Sequence, residues 1–283
     1  LSLRRNRRIK VFDGVSTTTD AAHSQLGLRR SLTAALDFAV GSHRRALALL
    51  FAFSLFAFLP GFFQTPAVDR DEARFAQATK QMLEARDYVD IRFQDEVRYK
   101  KPVGIYWLQA AAVKTGEALG VPQARTTIWL YRLPSLFGAI GAVLLTYWAA
   151  LAFVPRRAAV IAALMMASSV LLGVEARLAK TDAMLLLTSV AAMGALARIY
   201  LASRSELEAK VSWIEPAILW TAIAAGVLIK GPLVPMFVGL AIIVLSVVDK
   251  SARWLWSLRP VAGIIWLLAL VSPWFVAIIA KSG

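Results

Sequence analysis

The sequence predicts an all-α membrane protein, a bundle of several membrane-spanning helices, and three observations lead there. Of its 283 residues, 58% are hydrophobic and the mean hydropathy is +0.61, above the roughly 45–50% apolar share of soluble domains. The apolar residues are grouped in runs that reach or approach the roughly 20 needed to cross a hydrocarbon core about 30 Å thick. Basic residues, finally, recur in alternate loops, as positive charge retained on one side of a membrane requires.

The chain begins with a basic segment. Residues 1–45 carry nine Lys/Arg against Asp13, Asp20 and Asp37, directly before the first apolar run. Such a tail is expected to stay cytoplasmic and to touch anionic lipid. It lacks the interleaved aromatics of a base-stacking surface, so the net charge of +14 does not point to nucleic acid. No small-residue cleavage pattern follows the run, which argues against a signal peptide.

Spans are expected at 46–63, 132–153, 158–175, 183–202, 213–230, 233–248 and 260–280. With the N-terminus inside, the inner loops hold Arg156 and Arg157, then Arg204 and Lys210, then Lys250, Arg253 and Arg259. The outer face receives residues 64–131, the short loop Glu175–Asp182 and the turn Lys230–Pro232. The first outer loop has ten Lys/Arg and nine Asp/Glu, so it is charged yet nearly neutral.

Two helices are expected within that loop. Over 72–86, Phe75, Thr79, Met82 and Leu83 fall at three- and four-residue spacings and make one apolar stripe. The segment 103–119 is apolar enough to suggest another span, but counting it would move three basic loops outside. It is read instead as an interfacial or re-entrant helix, which Lys114 and Glu117 suit.

Chemistry-bearing residues gather on the outer side. Asp69-Arg70-Asp71-Glu72 follows Pro66, where the chain leaves the bilayer. The acids fit either a solvated helix start capped by Asp71 or a general base or metal ligand facing a lipid-borne substrate. Lys100-Lys101-Pro102 precedes the second helix, where cations suit phosphate or merely snorkel to headgroups. Asp182 opens the next span as a cap or a site acid, and Lys230 ends another as a snorkelling or functional lysine. Sidedness connects them: Asp71, Lys101, Arg177, Asp182 and Lys230 come from three loops of one face. Cations around two acids beside lipid suit a lipid phosphate.

Five segments then carry a resemblance: DEARFAQATKQML (71–83), YKKPVGIYWLQA (99–110), YRLPSLFGAIGAVLL (131–145), RLAKTDAMLL (177–186) and GVLIKGPL (226–233). In this order they resemble the bacterial polyprenyl-phosphate-dependent glycosyltransferases of the GT-C fold, which include protein O-mannosyltransferases and the lipid A aminoarabinose transferase. The resemblance runs from about Ala46 to Gly283. It implies a GT-C bundle that transfers a sugar from a polyprenyl-phosphate donor to a lipid, glycan or protein acceptor, with inversion, at the outer face of a bacterial inner membrane. Asp71 matches the catalytic aspartate of the first outer loop, and Asp182 the acid of the second. Lys101 matches a lysine that meets the donor phosphate, Lys230 the lysine before the Gly-Pro turn, and Arg74 the arginine of the D-E-x-R stretch. Lys230, Arg177 and Arg74 are expected to bind the substrate or its phosphate with Lys101, with Glu72 and Lys100 in secondary places.

The departures are specific. Phe75 replaces a tyrosine common in the family, and Lys100 stands where the aminoarabinose transferase has a metal-holding glutamate. His23 and His43 both lie in the tail, and cysteine is absent. The family's metal site is therefore not matched, although the resemblance leaves a divalent metal open as cofactor. The family's chains are longer and this one ends just after a span, so it is expected to be part of a longer protein. A polytopic transporter of a lipid or solute is the competing reading, and a scaffold without activity a third. Carriers, however, place their polar groups near the midplane, whereas these sit at one surface.

Overall fold

The computed structural model describes residues 34, 37, 38, 40–204 and 212–282. Most of the basic tail, residues 1–33, and Lys210 lie outside the described residues. The chain divides into Leu1–Ala46 and Leu47–Gly283. In the first unit the Arg45 guanidinium lies 4.2 Å from the Phe38 ring centroid, and its backbone N–H donates to Ser42 Oγ.

The helices are α1 (His43–Phe58), α2 (Arg70–Ala85), α3 (Gly104–Ala118), α4 (Ile128–Ala150), α5 (Arg156–Ala167), α6 (Val170–Glu175), α7 (Asp182–Ser203), α8 (Ile214–Lys230), α9 (Leu233–Asp249) and α10 (Pro260–Ser282). Among the described residues α4, α7 and α10 are long and apolar enough to cross a membrane, with α9 a shorter apolar helix. The predicted stripe of α2 is the buried one: Phe75, Thr79, Met82 and Leu83 all face inward. The second loop helix, α3, has 15 residues, about 22 Å of length at 1.5 Å per residue, short of a bilayer core. A feature not foreseen is the two-residue hairpin that pairs β1 (Arg92–Phe93) with β2 (Glu96–Val97), turned at Gln94 with a φ of 58°.

One expected span is broken. Residues 158–175 form α5 and α6, separated at Ser168 and Ser169, and the Ser169 side chain accepts from the Leu172 N–H. A serine offers the backbone this local alternative to a continuous ladder, so apolar length alone overstated the span.

The bundle closes through small residues. A methyl group on Gly138 of α4 would lie 2.8 Å from the Met184 nitrogen of α7, and one on Gly194 would lie 2.7 Å from the Trp148 ring. Close backbone approach of this kind is how apolar helices associate when burial alone offers no drive in lipid. It brings the start of α7, and hence Asp182, against the wall of α4.

Candidate active site

The site is built outward from a buried ion pair. Glu72 and Arg132 are both 0% exposed. Glu72 Oε1 accepts from Arg132 Nε at 2.7 Å and from the Ala179 backbone N–H at 3.0 Å, and Oε2 accepts from Arg132 Nη2 at 3.2 Å. The remaining guanidinium N–H groups reach the carbonyls of Phe62 (3.1 Å), Thr65 (2.7 Å) and Pro66 (3.0 Å). All five arginine donors thus have acceptors, the condition under which buried charge is tolerated. Glu72 was expected in a secondary place near substrate, and its carboxylate is fully engaged inside the protein. Arg132 was not singled out, although its signal was present: it is the one charged residue of the apolar helix α4.

The same hub clamps the segment between α6 and α7. Arg177 donates to the carbonyls of Ala57 (2.6 Å), Pro60 (2.8 Å) and Gly173 (2.6 Å), so each of its three nitrogens is used on backbone. The Ala179 carbonyl accepts from Gln109 Nε2, whose own Oε1 accepts from the Thr79 hydroxyl. The Lys180 carbonyl accepts from Ser135 Oγ. Five contacts therefore fix 177–180, and with it the start of α7, to the end of α1, to α2, to α3 and to α4.

At the solvent-facing rim the groups are looser. Among the described residues Asp71 pairs only with Arg74, at 3.3 Å, and its side chain is 54% exposed. It does not cap the helix. That role belongs to Asp69, whose Oδ1 accepts from the N–H groups of Asp71 (2.7 Å) and Glu72 (3.2 Å), and this leaves the Asp71 carboxylate available. Burial pushes the Asp69 carboxyl up, but these N–H groups and Lys180 outweigh it and hold it below the usual carboxylate range. Lys180 also pairs with Glu175 at 3.3 Å. Burial lowers the Lys180 pKa, yet Glu175 and Asp69 together raise it. Sequence reasoning passed over both Glu175 and Lys180.

Asp182 opens α7 and accepts from Lys230 Nζ at 2.5 Å, with side chains 38% and 22% exposed. Lys230 is the last residue of α8, followed by Gly231 at a φ of 73°, a backbone that favours glycine. Lys101 precedes α3 by three residues, and Gly104 at the head of α3 meets α8 so closely that a methyl there would lie 2.7 Å from the Leu228 carbonyl. Lys101 thereby comes near the end of α8. Lys101 is half-buried and Lys100 exposed, and neither has an ion pair among the described residues. The end of α10 joins this end of the bundle, where Trp274 Nε1 donates to the Val89 carbonyl and Lys281 pairs with Asp87.

One further cluster adjoins Asp71. Phe75, a helical turn along α2, stacks tilted on the buried Tyr106 of α3 with centroids 5.5 Å apart. Arg98 lies over the rings of Phe75 (5.7 Å) and Phe93 (5.9 Å).

A groove of about 380 Å³ opens beside Asp182 and Glu175 and continues over Leu172, Leu185, Leu186 and Phe237. It has a charged mouth and an apolar body. For a divalent cation the donor set is poor. Lys100 presents an ammonium rather than a carboxylate, and no group of three His, Cys, Asp or Glu stands together among the described residues. An exposed carboxylate, two lysines and an apolar groove suit proton abstraction beside a phosphate joined to a long apolar chain.

The model of the family described as dolichyl-phosphate-mannose-protein mannosyltransferase matches residues 48–280. Among solved structures, the chain is similar to ArnT from Cupriavidus metallidurans in the apo state, with a TM-score of 0.71 and 22% identity over 83% of this chain. It is also similar to ArnT from the same organism bound to undecaprenyl phosphate, with a TM-score of 0.70 and 21% identity over 85% of this chain. In both cases this chain spans 42% of the length of the ArnT chain. These likenesses establish the multi-span helical GT-C fold. No curated protein sequence matches the chain significantly.

Proposed function

The chain belongs to the dolichyl-phosphate-mannose-protein mannosyltransferase family, and we propose that it carries the catalytic rim of an enzyme using a polyprenyl-phosphate-linked sugar. The acceptor is a lipid, a polysaccharide or a protein. What supports this reading is that exposed Asp71, Lys101, which has no ion pair among the described residues, and the Asp182–Lys230 pair lie at the same end of an apolar bundle. ArnT, which shares the fold, binds undecaprenyl phosphate, and the groove beside Asp182 suits such a chain.

Asp71 accepts the proton of the acceptor nucleophile as that atom bonds to the anomeric carbon. The bond from this carbon to the phosphate oxygen breaks with its electron pair, and the phosphate leaves as an anion held by Lys101 and Lys230. Because phosphate leaves without needing a proton, one base suffices, unlike the paired carboxylates of glycoside hydrolysis. Attack opposite the phosphate inverts the anomeric centre. Asp182 fixes Lys230, Arg74 steadies Asp71, and Arg177 holds the loop rather than the phosphate. The basic tail supports reading the N-terminus as cytoplasmic and the site as lying on the outer face of the inner membrane.

Mass spectrometry tests this directly. The complete protein in nanodiscs, supplied with undecaprenyl-phosphate sugars and candidate acceptors, should release undecaprenyl phosphate in step with acceptor glycosylation. Solute flux in vesicles without any such release would overturn the reading.

A further inference from the structure

Four of the ten cations of the first loop have a carboxylate partner among the described residues. Arg74 pairs with Asp71, Lys80 with Glu84, Arg92 with Asp90, and Arg125 with Glu117. Arg98 has none among the described residues, and it is not a surface side chain: it is half-buried, and its Nε is buried without a hydrogen-bond acceptor. An exposed lone arginine is ordinary, but a partly desolvated one that lacks a counter-charge is costly to keep.

What holds it is geometry. The backbone N–H of Arg98 donates to the Ile91 carbonyl at 2.7 Å, which anchors its stem beside the hairpin. The guanidinium then lies over Phe75 and Phe93, and cation–π contact gains strength as water is removed. Behind it, the Tyr106 side chain is 0% exposed. The Tyr106 hydroxyl is likewise buried without a well-formed hydrogen bond, and its polar neighbour is the Arg98 side chain itself. A buried N–H and a buried O–H side by side, neither with a well-formed hydrogen bond and with no carboxylate beside them among the described residues, make a cradle suited to an anion. Its place matters. Phe75 is one turn from Asp71 on α2, and Lys101 follows Arg98 by three residues on the same strand of chain.

We propose that Arg98 is a further anion-binding residue of the transfer site, gripping a phosphate oxygen together with Lys101, with the Tyr106 hydroxyl behind it. A guanidinium fork and a lysine point charge are complementary ways of holding a phosphate. Phe75 thereby has a use for its ring that requires no hydroxyl: its face positions the guanidinium. The phosphate comes either from the polyprenyl donor or from a phosphorylated acceptor such as lipid A. This inference rests on the transfer reading given above.

The experiment measures binding rather than turnover, using the complete protein in nanodiscs of zwitterionic lipid. The probes are undecaprenyl phosphate, undecaprenol, and lipid A with and without its phosphates. Arg98→Gln, which keeps much of the stem over the rings, should weaken binding of at least one phosphorylated probe by about 10-fold or more, the size of one lost charge-assisted hydrogen bond. Binding of undecaprenol should be unchanged, and a purely structural role would instead weaken both probes of a pair. Arg98→Lys should recover part of the loss, and Tyr106→Phe should show a smaller one. Loss confined to undecaprenyl phosphate assigns the donor, and loss confined to phosphorylated lipid A assigns the acceptor. Wild-type binding that persists unchanged in Arg98→Gln, or that falls equally for undecaprenol, overturns the role of Arg98. A wild-type protein that binds neither phosphorylated probe overturns the transfer reading, and this inference falls with it.

Discussion

Two ion pairs at the same end of the bundle differ in every physical respect. Glu72–Arg132 is wholly removed from solvent and has every guanidinium donor satisfied, whereas Asp182–Lys230 is partly open, with Asp182 at the mouth of a groove. Neighbouring acids show the same split, since Asp71 faces solvent while Glu72 is buried. The difference teaches which charges build the site and which are free to work in it. A buried pair already has its partners and gives up too much if a substrate draws one away. An exposed pair contributes little to stability, so substrate can compete for it at small cost.

Breaking the buried pair should have the largest effect. Arg132→Ala leaves the Glu72 carboxylate buried without its counter-charge, and is expected to destabilise the protein by about 3–5 kcal/mol. Thermal unfolding in detergent measures this, and an unchanged midpoint would erase the distinction between the two pairs. Removing a rim cation should act on rate instead. Lys101→Ala is expected to lower transfer about 10²-fold, while stability moves by no more than about 0.5 kcal/mol. Transfer kinetics and unfolding on the same preparation separate the two. Lys230→Gln should behave similarly, with a stability change of at most about 1 kcal/mol, because its pair with Asp182 is partly exposed.

The smallest effect lies between the two regions, at Asp69. Asp69→Ala removes the cap of α2 and should cost about 1 kcal/mol. The Asp69 carboxyl is held below its usual value of 3.8 in the folded protein. The folded state therefore binds fewer protons than the unfolded state, and the contribution of Asp69 is present above 3.8 and fades as pH falls through the lower folded value. The stability gap between wild type and Asp69→Ala should narrow on acidification through that window; a gap that widens would contradict this origin.

The helices were legible because long apolar runs are a one-dimensional signal. The stripe of α2 followed from spacing, and the outer-loop candidates from the rule that charge avoids the bilayer core. The break at Ser168 and Ser169 was hidden, since two serines inside an apolar run alter composition little. Arg132 was hidden in a different way: its partner Glu72 lies 60 residues earlier in the chain, and only folding shows that the two meet. Asp69 and Asp71 could not be told apart as caps, because both precede or open the same apolar stripe and only backbone direction decides. Arg98 was legible as a charge, but not as one without a partner.

The separation of building charges from working charges is tested most directly at Asp71. The rate of sugar transfer from an undecaprenyl-phosphate donor by Asp71→Asn should be measured in protein whose unfolding midpoint is also recorded. A loss of at least about 10²-fold, as expected for removal of a general base, with the midpoint unchanged is the predicted result. Transfer close to wild type in a stably folded Asp71→Asn protein would contradict the account.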